Sequence, residues 1–160
     1  DKPLTKTLFA QLNFDIADNG DFYVSFEADS LMYRYDLDYN QLVCFGFAGR
    51  DMDLNYLRWD SYDQPWKERL AERMSRGFYN AVEYVDETGL LFRSYRKGGG
   101  SVTDGLQVYR DGVLVGDVDV PLGFRMAGYV APYYYSYVVP DEEGERLYMF
   151  RFKWPSAPEE

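Results

Sequence analysis

Four short, aromatic-rich apolar runs follow one another near the start of the chain, with only turn-forming residues between them. They cover residues 8–17, 22–26, 31–37 and 42–47. Asn19-Gly20 between the first two is a tight hairpin signal, because the turn that suits two twisted strands needs left-handed backbone at its centre. Glu27 to Ser30 and Tyr39-Asn40 separate the later runs with polar residues that favour turns. Runs this short and this closely spaced pair most simply as an antiparallel meander. Their alternation of apolar and polar positions is imperfect, as in strands buried on both faces.

The pattern returns twice. Runs at residues 78–85, 90–95, 106–109 and 113–118 are joined by Asp86 to Gly89 and by Arg110-Asp111-Gly112, and residues 97–105 read as a glycine-rich flexible loop. Runs at 124–130, 133–139 and 147–153 follow, with Pro140 to Gly144 as a turn. About eleven strands result, in groups of four, four and three. Tyr35, Tyr109 and Phe150 hold comparable places in the third strand of each group, and the last two lie 41 positions apart. That interval matches the roughly 40–50-residue period of β-propeller blades.

Residues 49–77 break the rhythm. Asp63 can cap a short helix that starts near Pro65, a position where proline is tolerated. Trp66, Leu70 and Met74 form one apolar stripe, Lys67, Glu68, Arg69, Glu72 and Arg73 cover the remainder, and Gly77 is a stop. The stripe is expected to pack on a sheet surface.

The expected fold is therefore all-β: antiparallel four-stranded blades of a β-propeller, about two and a half to three of them, with one short helical insertion. The expected units are a blade at 8–49, the helical insertion at 50–77, a blade at 78–120, an incomplete blade at 121–154 and a frayed tail at 155–160. The competing reading is a compact twisted sheet that closes on itself as a sandwich.

The segments 13–24, which contain Asn19-Gly20, 31–36 and 42–49 together resemble an NHL-type propeller repeat. The ending, residues 127–137 and 146–153, is similar to the last blade of the six-bladed, TolB-like propeller proteins common in gut Bacteroidetes. The resemblance implies an exported protein, periplasmic or on the cell surface, often a lipoprotein, and it brings no catalytic motif. A six-bladed ring needs roughly 240 residues at that blade period, so 160 residues would supply its C-terminal half. Asp1 is neither an initiating Met nor the start of a signal peptide, which fits a processed product or a piece of something longer. An open half-ring exposes strand edges and aromatic faces, so the remainder of a propeller, or further copies of the chain, are the expected partners.

Composition narrows the chemistry. A net charge of -10 repels nucleic-acid backbones. The chain has no histidine and one cysteine, so it cannot build a Ser-His-Asp or Cys-His device, and it offers no zinc site of the usual type. No cofactor is expected, and no run is long enough to cross a bilayer as a helix. Cys44 is expected as a small buried hydrophobe. The acidic turns around Asp36 to Asn40 and Asp51 to Asn55 fail the calcium-loop pattern, since Tyr56 and Tyr62 stand where glycine and glutamate are required. They read as solvated turn acids. Gly98-Gly99-Gly100 lacks the ending of a phosphate loop.

The candidate ligand-binding residues are Trp59, Tyr62 and Trp66 beside Asp60 and Asp63. Aromatic platforms flanked by carboxylates can hold sugars, and the same residues can equally anchor the insertion by packing. The expected function is a non-enzymatic binding or scaffold module of an exported propeller protein, open to a protein or carbohydrate ligand. The alternative is a lyase or hydrolase acting on a carbohydrate or peptide through Asp, Glu or Tyr. A cleft that gathers two carboxylates and an arginine would favour that alternative.

Overall fold

The computed structural model describes residues 11–56, 65–141 and 143–155. Three antiparallel sheets follow in chain order. The first contains β1 (Leu12–Ile16), β2 (Phe22–Phe26), β3 (Met32–Tyr35) and β4 (Gln41–Phe45), paired in that order. A helix, α1 (Trp66–Arg76), leads into the second sheet of β5 (Gly77–Val85), β6 (Leu90–Lys97), β7 (Thr103–Arg110) and β8 (Val113–Pro121). The third sheet joins β9 (Met126–Val130) to β10 (Tyr133–Ser136). A two-stranded ribbon of β11 (Val139–Pro140) and β12 (Leu147–Tyr148) then interrupts the path, and β13 (Arg151–Phe152) completes the third sheet beside β10. The meander grouping of four, four and three is thus observed, with the last run split into ribbon and strand. The first strands lie together: β1 runs along β5, and β5 along β9.

The second sheet is the middle layer, and its strand pattern shows why. Leu90 and Phe92 of β6 enter one core with Leu106 and Val108 of the second sheet, Met126 and Tyr134 of the third, and Phe124 from the connection between them. Leu91 and Tyr109 point the other way, into a core with Ala17, Tyr23, Met32 and Val82. A strand buried on both faces alternates between two apolar environments, so β6 opens with three consecutive apolar residues, Leu90, Leu91 and Phe92. Aromatic contacts fasten both joints: Tyr23 stacks on Tyr84 with ring centres 4.7 Å apart, and Phe92 meets Tyr134 at 4.9 Å.

Between the first two sheets lies a fully buried arginine. The Arg93 guanidinium donates to Ser25 Oγ at 2.8 Å, to the Ser30 carbonyl at 2.7 Å and to the Asp29 carbonyl at 2.6 Å, with longer bonds to Phe26 and Leu31. Its central carbon sits 3.2 Å from the Tyr79 ring centre. These acceptors all belong to the β2–β3 hairpin, so one side chain ties that turn to the second sheet. Burial lowers the guanidinium to about 10, still well above neutrality.

Three tyrosines of the second sheet hold the chain as it leaves β4. Tyr79 Oη accepts from the Gly49 N–H at 3.0 Å and donates to the Phe47 carbonyl at 2.8 Å. Tyr95 Oη accepts from the Arg50 N–H at 3.0 Å and donates to Asp117 at 2.6 Å, while Tyr109 Oη accepts from the Phe47 N–H at 3.3 Å. The Tyr95 ring lies across Gly105, where a Cβ would sit 1.9 Å from it. Glycine is therefore required at residue 105 for packing. The loop expected over residues 97–105 is shorter in the structure: 98–102 form the turn, and its two ends belong to β6 and β7. Lys97 is buried at its edge and bonds Asp119 at 2.8 Å and Asp51 at 3.1 Å.

The helix departs from expectation. Its apolar stripe of Trp66, Leu70 and Met74 is exposed, and its charged side faces the sheets. Arg73 lies 3.7 Å over the Phe78 ring and pairs at 2.8 Å with Glu27, a buried carboxylate that needs a cation. Arg76 pairs with Asp53 and Glu72. An unpaired buried carboxylate costs more than an exposed methionine or leucine gains by burial, and this sets which side of α1 turns inward. Asp63, the expected cap, lies outside the described residues; Pro65 occupies the cap position without a side-chain bond.

Replacing Arg93 by Met should leave several hairpin carbonyls without donors and destabilise the protein by about 3 kcal/mol or more. Arg93→Lys should restore little of that loss, because an ammonium cannot span the same fan of acceptors. Urea denaturation of the three proteins checks both outcomes.

Candidate functional site

Where β1, β5 and β9 meet, they leave a cleft of about 370 Å³ whose lining includes Asn13, Asp15, Asn80, Glu83, Arg125 and Tyr137. Each side chain arrives there for a local reason. Asn80 is the extra residue of a β-bulge in β5, where the pairing with β6 shifts between Tyr79 and Ala81. A bulge re-aims a side chain out of the sheet's alternation. The Asn80 Oδ1 is buried without a hydrogen-bond partner. Asp15 comes from β1 and accepts the Tyr84 N–H through Oδ2 at 2.7 Å, which pins it across the joint between sheets. Asn13 donates to the Tyr79 carbonyl at 3.5 Å. Arg125, just before β9, lies 5.3 Å from the Tyr137 ring centre.

Glu83 is the unusual member. Burial, and then the Asp15 carboxylate, push it up to about 7. Among the described residues neither Glu83 nor Arg125 forms an ion pair. The cleft thus collects a half-buried carboxyl titrating near neutrality, a second carboxylate, an orphaned amide oxygen and a cation at the rim. A second cleft of about 280 Å³ lies between the first two sheets, lined by Tyr23, Arg34, Tyr84 and Tyr109. Its arginine is already paired with Asp21, so it offers a ligand less unspent charge.

The surface beyond the first sheet is also notable. The register places Phe14, Val24, Tyr33 and Cys44 in one row, with Leu12 and Phe26 on one side and Ile16, Phe22 and Tyr35 on the other. This is the face turned away from the second sheet. Phe14 is 58% exposed and Ile16 59%. Cys44, expected as buried, is exposed here because no layer among the described residues covers its side of the sheet.

Of the residues singled out from sequence, Trp59, Asp60, Tyr62 and Asp63 lie outside the described residues. Trp66 opens α1, is exposed, and has the Arg69 guanidinium 5.4 Å from its ring centre. The Asp36 turn behaves as read, with Asp36 accepting the Asp38 and Asn40 N–H groups, each at 2.9 Å; in the second turn Asp53 accepts the Asn55 N–H at 2.9 Å, but Asp53 also pairs with Arg76 and Asp51 with Lys97. No cluster of three or more metal-binding side chains occurs among the described residues. No helix among them is long and apolar enough to cross a membrane. Sequence reasoning missed Asp15, Asn80, Glu83 and Arg125. They are scattered over three elements, and the one local signal was a glutamate and an asparagine inside an otherwise apolar strand.

No protein-family model matches the chain, and no curated protein matches it by sequence. Among solved structures, the fold is similar to the crystal structure of a member of the DUF4221 family from Bacteroides vulgatus, with a TM-score of 0.52 at 11% identity. The match covers 70% of this chain and 34% of that one, so the aligned part spans about a third of the longer molecule. At that identity the likeness speaks for the fold alone: all-β, built of antiparallel sheets.

The raised pKa of Glu83 gives stability a definite pH dependence. The folded state holds this proton more tightly than the unfolded chain, so its contribution is most favourable below pH 4.5 and is lost as pH rises toward 7. Glu83→Gln removes the penalty, and should stabilise the protein by about 1–3 kcal/mol at pH 8 while differing little from the parent at pH 5. Paired urea titrations at the two pH values measure this.

Proposed function

We propose that the chain is a binding or scaffold module of an exported, propeller-type protein, in which the three sheets are successive blades and further sheets complete the ring. The observation that carries this reading is the apolar outer face of the first sheet, which no layer among the described residues covers. Both joints between sheets include aromatic rings of one face laid on the next, and the outer face of β1–β4 is also aromatic-rich, with no partner layer among the described residues. Soluble monomers rarely leave so large a contiguous apolar patch in water. The adjacency of β1, β5 and β9 supports the same reading, since radial blades bring their innermost strands together. Export, to the periplasm or cell surface, extends to this chain what the resemblance implies.

A second reading is favoured by one observation. One cleft gathers two carboxylates, Asp15 and Glu83, with Arg125, the residue types that an acid–base enzyme acting on a carbohydrate or peptide would use, and Glu83 is pushed up to about 7. Turnover of polysaccharide or peptide substrates that Glu83→Gln abolishes would establish it over the first.

The 160-residue chain alone should sediment as a species larger than its 18.7 kDa mass. Phe14→Lys with Ile16→Lys should return it to a monomer. In the associated form Cys44 should react slowly with a thiol reagent, and in the double variant quickly. A strict monomer across a wide concentration range, with Cys44 freely reactive, overturns the ring proposal.

A further inference from the structure

At one end of the joint between the second and third sheets lies a cleft of about 460 Å³, within the roughly 300–1,000 Å³ of small-molecule sites. Strand alternation brings charge to it. In β7, Leu106 and Val108 face the third sheet, so Arg110, two residues on, continues the same row past the end of the core. Glu87 and Thr88 reach the cleft from the β5–β6 turn and Tyr129 from β9, while Lys153 and Trp154 follow β13. The Trp154 indole is seated by a gap in β8. It lies across Gly116, the register partner of Val108, where a Cβ would stand 2.3 Å from the ring. Trp154 also packs against the core that the two sheets share, so its ring is fixed beside the row that ends in Arg110.

Trp154 and Tyr129 are half-buried and offer flat apolar surface, which the C–H face of a sugar ring can cover. Arg110 and Lys153 form no ion pair among the described residues, although the chain has 27 acidic side chains. The other cations in the strands of the second sheet, Arg93, Arg96 and Lys97, all have bonding partners. Glu87 is the one carboxylate among the lining residues, and it is exposed. Burial raises the Tyr134 phenol, and Arg110 and Glu87 act on it with opposite sign, so both charges converge at one wall of the cleft. We propose that this cleft binds a pyranose ring that carries a carboxylate, a uronic-acid unit, with the ring on Trp154, the carboxylate toward Arg110 and Lys153, and the hydroxyls toward Glu87 and Thr88. Each lining group then has a use. A neutral sugar leaves two cations unanswered, and a small carboxylate leaves the aromatic rings uncovered. An aromatic acid brings no hydroxyl to Glu87, whose charge then only opposes it. The inference rests on the binding-module reading and names its ligand class. It needs one copy of the chain, since both sheets belong to that copy.

The test is a titration of the wild-type chain with methyl glucuronide, following the Trp154 indole N–H by heteronuclear NMR, its signal assigned through Trp154→Phe. A saturable shift is expected. Methyl glucoside should bind severalfold more weakly, and acetate and sorbitol should give no saturable shift of that signal. Arg110→Gln should weaken the glucuronide about tenfold and bring it level with the glucoside. Gly116→Ala removes no lining group, yet it should displace the indole and weaken both sugars alike, with far-UV circular dichroism showing that the sheets are kept. If Gly116→Ala loses its sheets, the Arg110→Gln comparison decides alone. An indole N–H that the glucuronide leaves unmoved, equal binding of glucuronide and glucoside by the wild-type chain, or an Arg110→Gln protein that binds the glucuronide as wild type overturns the proposal. The readout is local to Trp154, so failure here leaves the sedimentation result, and the ring it decides, untouched.

Discussion

The joint between the first two sheets is organised by a single buried cation with no carboxylate of its own. Arg93 spends its donors on the β2–β3 hairpin: one serine hydroxyl and the carbonyls of Phe26, Asp29, Ser30 and Leu31. Taking a guanidinium out of water is expensive, and a fan of backbone dipoles with an aromatic face beneath it is one of the few settings that offsets the cost. The hairpin gains in turn, because its inward carbonyls would otherwise be buried without donors. The dependence spreads outward from there. The same turn carries Glu27, whose carbonyl accepts the Tyr79 N–H at 2.9 Å and whose carboxylate draws Arg73 of the helix onto it. Two sheets and α1 are therefore fixed by one short loop, and the helix takes its orientation from charge rather than from its apolar stripe.

The joint between the second and third sheets is built on different terms. It is largely aromatic and aliphatic, with Phe92, Tyr134 and Phe152 in mutual contact and one polar tie, the Met126 N–H donating to Ser94 Oγ at 3.0 Å. Hydrophobic contact is non-directional, so such a joint tolerates change in detail while keeping its area. The Arg93 joint has fixed geometry and tolerates little. A stack that alternates a keyed joint with an adaptable one holds its register at one place and accommodates strain at another.

The strands were legible from sequence because their signals are local. Asn19-Gly20 and Asp111-Gly112 sit at turns, with Gly20 at φ 87° and Gly112 at φ 78°, and apolar runs of the right length flank them. Tyr35 and Tyr109 do fall in the third strands of their sheets, whereas Phe150 lies just before β13 because the β11–β12 ribbon takes up part of the run. What misled was each case where a distant partner decided the outcome. The stripe of Trp66, Leu70 and Met74 has helical spacing, yet Glu27, some forty residues upstream, claims the opposite side of α1. Cys44 has the neighbours of a core residue, and its exposure follows from which side of the first sheet is covered. The cleft was least legible of all: a one-residue bulge at Asn80 breaks the alternation from which facing is inferred, and nothing within β1 alone pairs Asp15 with Glu83.

That bulge links the architecture to the chemistry. A regular β5 would keep every residue in the alternation, with each side chain directed to the core on one side or the other. Inserting Asn80 shifts the register at one point, so that its side chain leaves the alternation beside the two neighbouring first strands, while Glu83 stands three residues further along the same cleft. The cost is an unsatisfied amide oxygen and a carboxyl held above its ordinary range, both of which a stable interior would ordinarily remove. Arg93, Glu27 and Lys97 are buried charges with bonding partners, whereas Asn80 Oδ1 shares its unmet state with Asp104 Oδ1 and with the Nε atoms of Arg69 and Arg73 elsewhere in the fold. The bulge thus gives up local stability at Asn80 and Glu83 in forming the cleft where three sheets bring their first strands together.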